Sequence, residues 1–515
     1  MYGIGIGSLG SVLPEIILLI GGLLVLLLDM AQNSETYQKE TGRGFMAITV
    51  LFLFVGLLGV LLQWNMNEHS SFDMVDIDPI GAFFKVIIYT GMLLVAVAGG
   101  GYMNRHAPVN GKAEFWSLFL FVTLAMSMAV SATNLILLFL SFEFLSITSY
   151  ILAGFMRENE RSSEAGLKYF LYGSVASAVM LYGMSWLYGA TGSVNLREIA
   201  SILVDNEASV VVLPAIMLIL VGLGFKMSLA PFFQWAPDTY DGAPTPVTAY
   251  LSTASKTVGF GIALRVFLIG FGQAQAEWVP LMAGLAILTM SIGNLMALRQ
   301  SSVKRMLAYS SVAQAGYILM GLAAVVSTSS IDGAQASLDD LGMNGINGIL
   351  IYLFAYLFTN VGAFMVVLAV EEDTGGDHDI SAYNGLMQRS PALAVAMLIF
   401  MLSLTGIPLT GGFWGKFYVF GAAIQHQYWY LAIAGFINAG IAAGYYLRVV
   451  AAMIFTAKEG QEETELAETP AMPLAIPVQL IVSICAIVTV WIGIYPPNFI
   501  DWADDASRQF LALLF

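Results

Sequence analysis

The sequence predicts an all-α, polytopic membrane protein. Of its 515 residues, 58% are hydrophobic and only 11% charged, whereas a soluble domain carries about a quarter charged residues. Apolar runs of about 20 residues recur from end to end, each long enough to cross the hydrocarbon core as a helix. The short alternating segments of a membrane barrel do not occur. Backbone groups in lipid must therefore bond within their own segment, as helix.

About fourteen spans are expected, at 11–30, 44–63, 79–101, 114–131, 133–155, 167–190, 209–229, 244–269, 277–298, 304–326, 344–370, 391–424, 427–456 and 472–495. The first lacks a basic leader and a cleavage site and reads as a retained span. No linker divides the chain, so 1–515 reads as one integral-membrane domain. The longest polar piece, 458–470, is an acidic loop, and 501–515 reads as a short interfacial helix.

Loop charge tests the count. The odd-numbered loops hold eleven cations: Lys39, Arg43, Arg105, Lys112, Arg157, Arg161, Arg299, Lys304, Arg305, Arg389 and Lys458. The even-numbered loops and both termini hold two, Arg197 and Arg508. Cationic loops favour the cytoplasmic side. This predicts odd loops inside and both termini on the outer side.

The single cysteine, Cys485, excludes a disulfide framework and a cysteine-ligated cluster. The four histidines show no haem or zinc spacing, and no basic patch suits nucleic acid. No nucleotide loop or nucleophile–base pair is legible. The chain reads as built to move ions with energy delivered from elsewhere.

The remaining cations lie in or against spans. Lys168, Arg265 and Arg448 fall near helix ends and are expected to snorkel to the interface. Lys85 is close to the start of its span and reads as structural. Three lysines stand out. Lys226, in VGLGFKMSLAPFFQWAP, ends a long apolar run five residues before Pro231, which predicts a broken span. Lys256, in VTAYLSTASKTVGFGIAL, sits near mid-span among small and hydroxyl residues. Lys416 lies in 391–424, which is too long for one straight crossing. Gly406, Pro408, Gly411 and Gly412 mark its break. Broken spans in corresponding halves, here seven and twelve, signal an inverted-repeat transporter.

Glu143, ten residues into its span, must be paired or protonated, and a nearby lysine is the natural partner. Burial disfavours charge on a lysine and a neighbouring carboxylate restores it. Moving the carboxylate, or admitting water, would switch a lysine between holding and releasing a proton. A row of such groups at the midplane makes a proton relay. Ser310, Gln314, Tyr352, Tyr356 and Asn360 could line its channel, and helix-to-helix hydrogen bonding fits them equally well.

The segments LSFEFLSITSYIL, EAGLKYFLYGS, FKMSLAPFFQWAPDTYDGAPTPVTAYLSTASK, QSSVKRMLAYSSVAQAGYILMG and LTGIPLTGGFWGKF run in order over 133–420. In them the chain resembles the antiporter-like, proton-pumping subunits of respiratory complex I. It is most similar to the N type of bacterial NADH:quinone oxidoreductase, whose chloroplast and cyanobacterial relative is subunit 2 of NDH-1. The L type is longer, with a lateral helix, and the M type has a glutamate where Lys416 stands. The resemblance implies two inverted repeats of five helices, 114–269 and 277–456. It implies Glu143 and Lys226 as a modulating ion pair, Lys256 as the central relay residue and Lys416 as the group exchanging with the outer side.

The resemblance also implies partners: antiporter-like subunit M, small helical subunits, and subunits carrying flavin, iron–sulfur clusters and quinone. No cofactor is expected in this chain. One departure is Gln314, in SSVAQAGY, where many members have histidine. Glutamine cannot titrate, so water held by Gln314, Ser310 and Tyr352 would have to bridge Lys256 and Lys416. NDH-1 relatives share this glutamine, so the electron donor need not be NADH. Two other functions compete: a subunit of a multi-subunit cation/proton antiporter, and a membrane scaffold with inert charges.

Overall fold

The computed structural model describes residues 10–31, 35–64, 68–71, 74–108, 111–205, 209–325, 343–455, 472 and 474–512. The acidic loop 458–470 and Lys458 lie outside the described residues, as does the side chain of Lys39. The chain is a bundle of long helices, and it is a multi-pass membrane protein. In order the helices are α1 (Leu13–Met30), α2 (Glu35–Gln63), α3 (Pro79–His106), α4 (Lys112–Ser131), α5 (Leu135–Ala153) and α6 (Glu160–Thr191). Then come α7 (Leu196–Asp205), α8 (Ser209–Met227), α9 (Trp235–Gly242), α10 (Thr245–Ser252), α11 (Ala254–Leu264) and α12 (Gln275–Ala297). The last are α13 (Val303–Ala323), α14 (Gly345–Thr374), α15 (Pro391–Thr405), α16 (Gly411–Gln425), α17 (Trp429–Phe455), α18 (Ile476–Ile494) and α19 (Pro497–Ala512).

Among the described residues, twelve helical segments are long and apolar enough to cross a membrane. The expected span 391–424 is not among them, because α15 stops at Thr405, and 209–229 is represented by the apolar helix α8, which ends at Met227. A two-stranded ribbon, Glu68–Ser71 with Val75–Ile77, joins α2 to α3 and was not foreseen. The helix expected at 501–515 begins earlier, at Pro497, and buries Phe499, Ala503 and Phe510 against α3 and α14.

Polar caps set the helix starts. Asp78 accepts from the Gly81 amide at 2.8 Å with Pro79 at the first helical position. Asn134 caps α5, Asn159 caps α6, Ser302 caps α13 and Asn344 caps α14.

Burial then sorts the helices. Every residue of the α10–α11 segment and all of α13 but Arg305 are buried, as is most of α14, whereas α1 and α2 turn leucines outward. The central helices carry Lys256, Ser310, Gln314, Tyr352, Tyr356 and Asn360, which the rest of the bundle shields from lipid, whereas Glu143, Lys226 and Lys416 stand on α5, α8 and α16. Small residues let neighbouring helices close up. A Cβ on Gly293 would stand 2.5 Å from the Ala313 amide, and one on Gly316 would stand 2.5 Å from that of Met290. These two contacts bring the α12 and α13 backbones together.

One expected span is interrupted where none was foreseen. The stretch 244–269 divides at Thr253, which has φ −119° and ψ −81°, and it ends as a π-helix, Arg265–Gly270. No proline or glycine marks the cut. The Ser252 and Thr253 hydroxyls both donate to the Ala249 carbonyl, at 2.9 and 2.7 Å, giving the backbone a local alternative to the helical ladder.

Candidate functional site

Each of the three lysines sits at a helix interruption. Lys226 is in the last turn of α8, just before Ser228 takes φ 59°. A cation there complements the carbonyl end of the helix. Its ammonium donates to Ser146 Oγ at 3.2 Å and to the Tyr169 hydroxyl at 3.5 Å. It also faces the Phe142 and Tyr169 rings at 5.6 and 5.9 Å. Glu143 acts on it electrostatically, but no ion pair joins them among the described residues. Glu143 Oε1 is buried without a hydrogen-bond partner. The direct pairing expected from the sequence is therefore replaced by an arrangement in which Ser146 and Tyr169 hold the lysine.

Lys256 opens α11, two residues beyond Ala254, and is fully buried. It donates to the Ser311 carbonyl at 2.6 Å and to the Ser311 hydroxyl. Ser311 shares helix α13 with Ser310 and Gln314. Ser310 and the Tyr446 hydroxyl are hydrogen-bonded. Gln314 accepts from the Tyr352 hydroxyl and donates to Tyr446 at 3.0 Å and to the Leu404 carbonyl at 2.9 Å.

The same Leu404 carbonyl accepts from Lys416, at 2.9 Å, and Thr405 accepts from it at 2.7 Å. These carbonyls are left free by the end of α15, where Gly406 turns to φ 92°. Lys416 thus satisfies the orphaned end of a broken helix. Its ammonium also lies 4.7 Å from the centre of the Tyr317 ring. Tyr317 joins Asn294, Asn438 and Tyr445 in a hydrogen-bonded cluster. One polar set therefore joins Lys256 to Ser311 on α13, and a second joins Ser310, Tyr446, Gln314 and Leu404 to Lys416. Asn360 donates to Ser252 Oγ at 2.7 Å, while Asn360 Oδ1 and the Tyr356 hydroxyl are buried without a well-aligned hydrogen bond.

Several cations have partners that their sequence positions did not suggest. Lys85 is buried and ion-paired with Glu15 at 2.7 Å. Ser127 donates to Glu15 at 2.6 Å. The pairing fits the structural reading of Lys85, with Glu15 supplied by α1 and Ser127 by α4. Arg265 does not snorkel: it is 2% exposed, forks onto Asp78 at 2.9 and 2.7 Å and donates to the Val130 carbonyl. Lys168 bonds Asp238 and Glu164, each at 2.7 Å, and Arg448 donates to the Leu298 carbonyl at 3.1 Å. Lys304, expected in a loop, is buried and donates to the Ala243 carbonyl at 3.0 Å. Beside it His378 is held below the ordinary imidazole range by burial and then by the Lys304 charge. Residues such as Glu15 and Asp78 left no signal in the sequence, because their partners are distant along the chain.

Broken helices whose ends are capped by buried lysines, enclosed by lipid-facing helices, define a class: antiporter-like membrane proteins. The chain belongs to the family described as NADH:quinone oxidoreductase/Mrp antiporter, TM, which it matches over residues 132–442. It is 38% identical to NADH-quinone oxidoreductase subunit N of Trichlorobacter lovleyi, over 97% of each chain. It is 35% identical to the chloroplastic NAD(P)H-quinone oxidoreductase subunit 2 of Mesostigma viride, over 97% of this chain and 96% of that one. A chain of respiratory complex I from Thermus thermophilus superposes with a TM-score of 0.75 at 29% identity, covering 95% of this chain and 98% of that one. The resemblance to the N type is borne out over nearly the full length.

Proposed function

We propose that this chain carries protons across the membrane as the N-type subunit of a quinone oxidoreductase, through a relay of Glu143, Lys226, Lys256 and Lys416. The observation that carries the reading is the shared Leu404 carbonyl, where the hydrogen bonds of Gln314 meet those of Lys416. In this reading a proton leaves the Lys256 ammonium for water held by Ser310, Gln314 and Tyr352, and the Lys416 amine takes it up. Lys416 then releases it to the outer side. Gln314 orients the water and does not itself carry the proton. Glu143 biases Lys226 through the field between them, and a shift in that field changes which lysine holds charge.

The wider assignments follow from this role. The repeats 114–269 and 277–456 each supply one broken helix, with Lys226 and Lys416 at the breaks. Electrons pass through flavin, iron–sulfur clusters and quinone held by partner subunits, and this chain contributes no redox group. Its neighbours in the membrane are an M-type subunit and small helical subunits. The cationic odd loops face the cytoplasm and both termini face outward, in a bacterial cytoplasmic membrane. The family name also covers cation/proton antiporters. Purification of the intact complex with flavin and iron–sulfur subunits separates the two readings, since a complex without them would be an antiporter.

The direct test replaces Lys256 by Met in the assembled complex and follows quinone-driven acidification in vesicles. Loss of pumping is expected. Pumping at the wild-type rate would overturn the relay and favour an inert scaffold.

A further inference from the structure

A relay needs a supply of protons, and one seam of polar groups connects Lys256 to the loop face. Helices α10 and α14 pack together and run antiparallel: Thr245 meets Glu371, and Ser252 meets Asn360. At the end of the seam a cavity of about 720 Å³ is lined by Tyr102, Arg105, His106, Asn159, Glu371 and Glu372. This is the face of the cationic odd-numbered loops.

Glu371 links the cavity to the seam. One carboxylate oxygen accepts from the Tyr102 hydroxyl at 3.2 Å, and the other accepts from Thr245, the first residue of α10. The groups around it are Lys304 and His378, which act on it electrostatically, with Tyr102, Tyr383 and Glu372 alongside. Lys304 supplies the counter-charge.

Inward from Thr245, the hydroxyls of Thr248 and Ser252 lie on α10, and Lys256 follows beyond the break at Thr253. The eight residues of α10, Thr245–Ser252, span about 12 Å at the helical rise. On α14, Asn360 and Tyr356 lie three and four turns before Glu371. Asn360 Oδ1 and the Tyr356 hydroxyl are buried without a well-aligned hydrogen bond, and the Tyr356 hydroxyl lies beside the Ser311 and Asn360 side chains. Buried polar atoms are satisfied by water where the protein does not reach them. Water bonded to these atoms would lie between the cavity and the central lysine.

We propose that Glu371 is the proton-loading group for Lys256. Its carboxylate takes a proton from hydronium in the cavity and leaves water. It hands that proton to water in the seam beside Ser252, Asn360 and Tyr356, and the carboxylate is regenerated. The neutral Lys256 amine becomes ammonium. One proton moves and nothing is oxidised or reduced. This assignment rests on the relay reading of Lys256.

The test uses the whole complex in proteoliposomes and measures quinone-driven proton uptake for E371Q, N360L, K256M and E164Q. Glu164 lies in an exposed surface ion pair, and E164Q is expected to pump at the wild-type rate. E371Q and N360L are expected to lose most of their uptake, down to the level of K256M, and E371D is expected to recover part of it. If K256M loses pumping while E371Q retains it, the loading role is overturned and the relay stands. If K256M itself retains pumping, the relay fails and the loading role with it. Should E371Q not assemble, N360L decides: wild-type uptake in N360L overturns the seam.

Discussion

At the residue scale, Gln314 is where the proposed relay departs from a simple row of titrating groups. Its amide bridges Tyr446, Tyr352 and the Leu404 carbonyl at once. Those contacts fix the orientation of the side chain, so its value lies in geometry rather than in holding charge. Replacing Gln314 by Leu leaves the Tyr352 hydroxyl without its acceptor. The expected cost is about 1–3 kcal/mol. Thermal unfolding of the complex in detergent would register it, together with slower pumping. Gln314→His, which keeps both a donor and an acceptor, should restore most of the rate; equal losses in both variants would show that the bridge does not matter. Among the candidate residues, the three lysines and Glu143 were legible because a charge inside an apolar run is conspicuous. Arg265 was discounted because exposure depends on neighbours that local sequence does not name.

At the element scale, the breaks make the site. Spans seven and twelve announced theirs through Pro231 and through Gly406 and Pro408. The third break, at Thr253, is built from hydroxyls bonding the Ala249 carbonyl, and no composition rule flags it. It turns Lys256 toward Ser311 on α13. The twelfth-span break is the most tightly specified. Gly406 combines φ 92° with a Cβ position only 2.7 Å from Lys416 Cδ. Gly406→Ala is expected to cost about 1–3 kcal/mol in backbone strain. It should also push Lys416 off the Leu404 carbonyl, so pumping should fall further than stability alone explains. A variant that melts lower yet pumps normally at low temperature would sever the link between this turn and Lys416.

At the scale of the whole molecule, buried ion pairs tie the lysine-bearing helices to the rest of the bundle. Arg265 continues the Lys256 segment, and its fork onto Asp78 clamps that segment to the start of α3. Arg197 and Asp76 make a second pair beside it. Removing one partner of a buried pair strands a charge and costs about 3–5 kcal/mol. Arg265→Met should therefore lower the melting temperature of the complex sharply, and the double variant with Asp78→Asn should recover part of the loss. Equal destabilisation in the single and double variants would show that the pair is not the clamp.

Sequence by itself determined the membrane class, the order of the spans, the family and the charged residues. Each of these depends on hydrophobic run length, on the cost of a charge in lipid, or on local motifs. Only the tertiary structure decided which buried charges are paired, where the hidden break in span eight falls, and that Gln314 and Lys416 converge on one carbonyl. Those outcomes depend on contacts between residues far apart in the chain, such as Glu15 with Lys85 and Asp78 with Arg265. A group's charge, partners and solvent are set by what packs against it, and no local pattern carries that information.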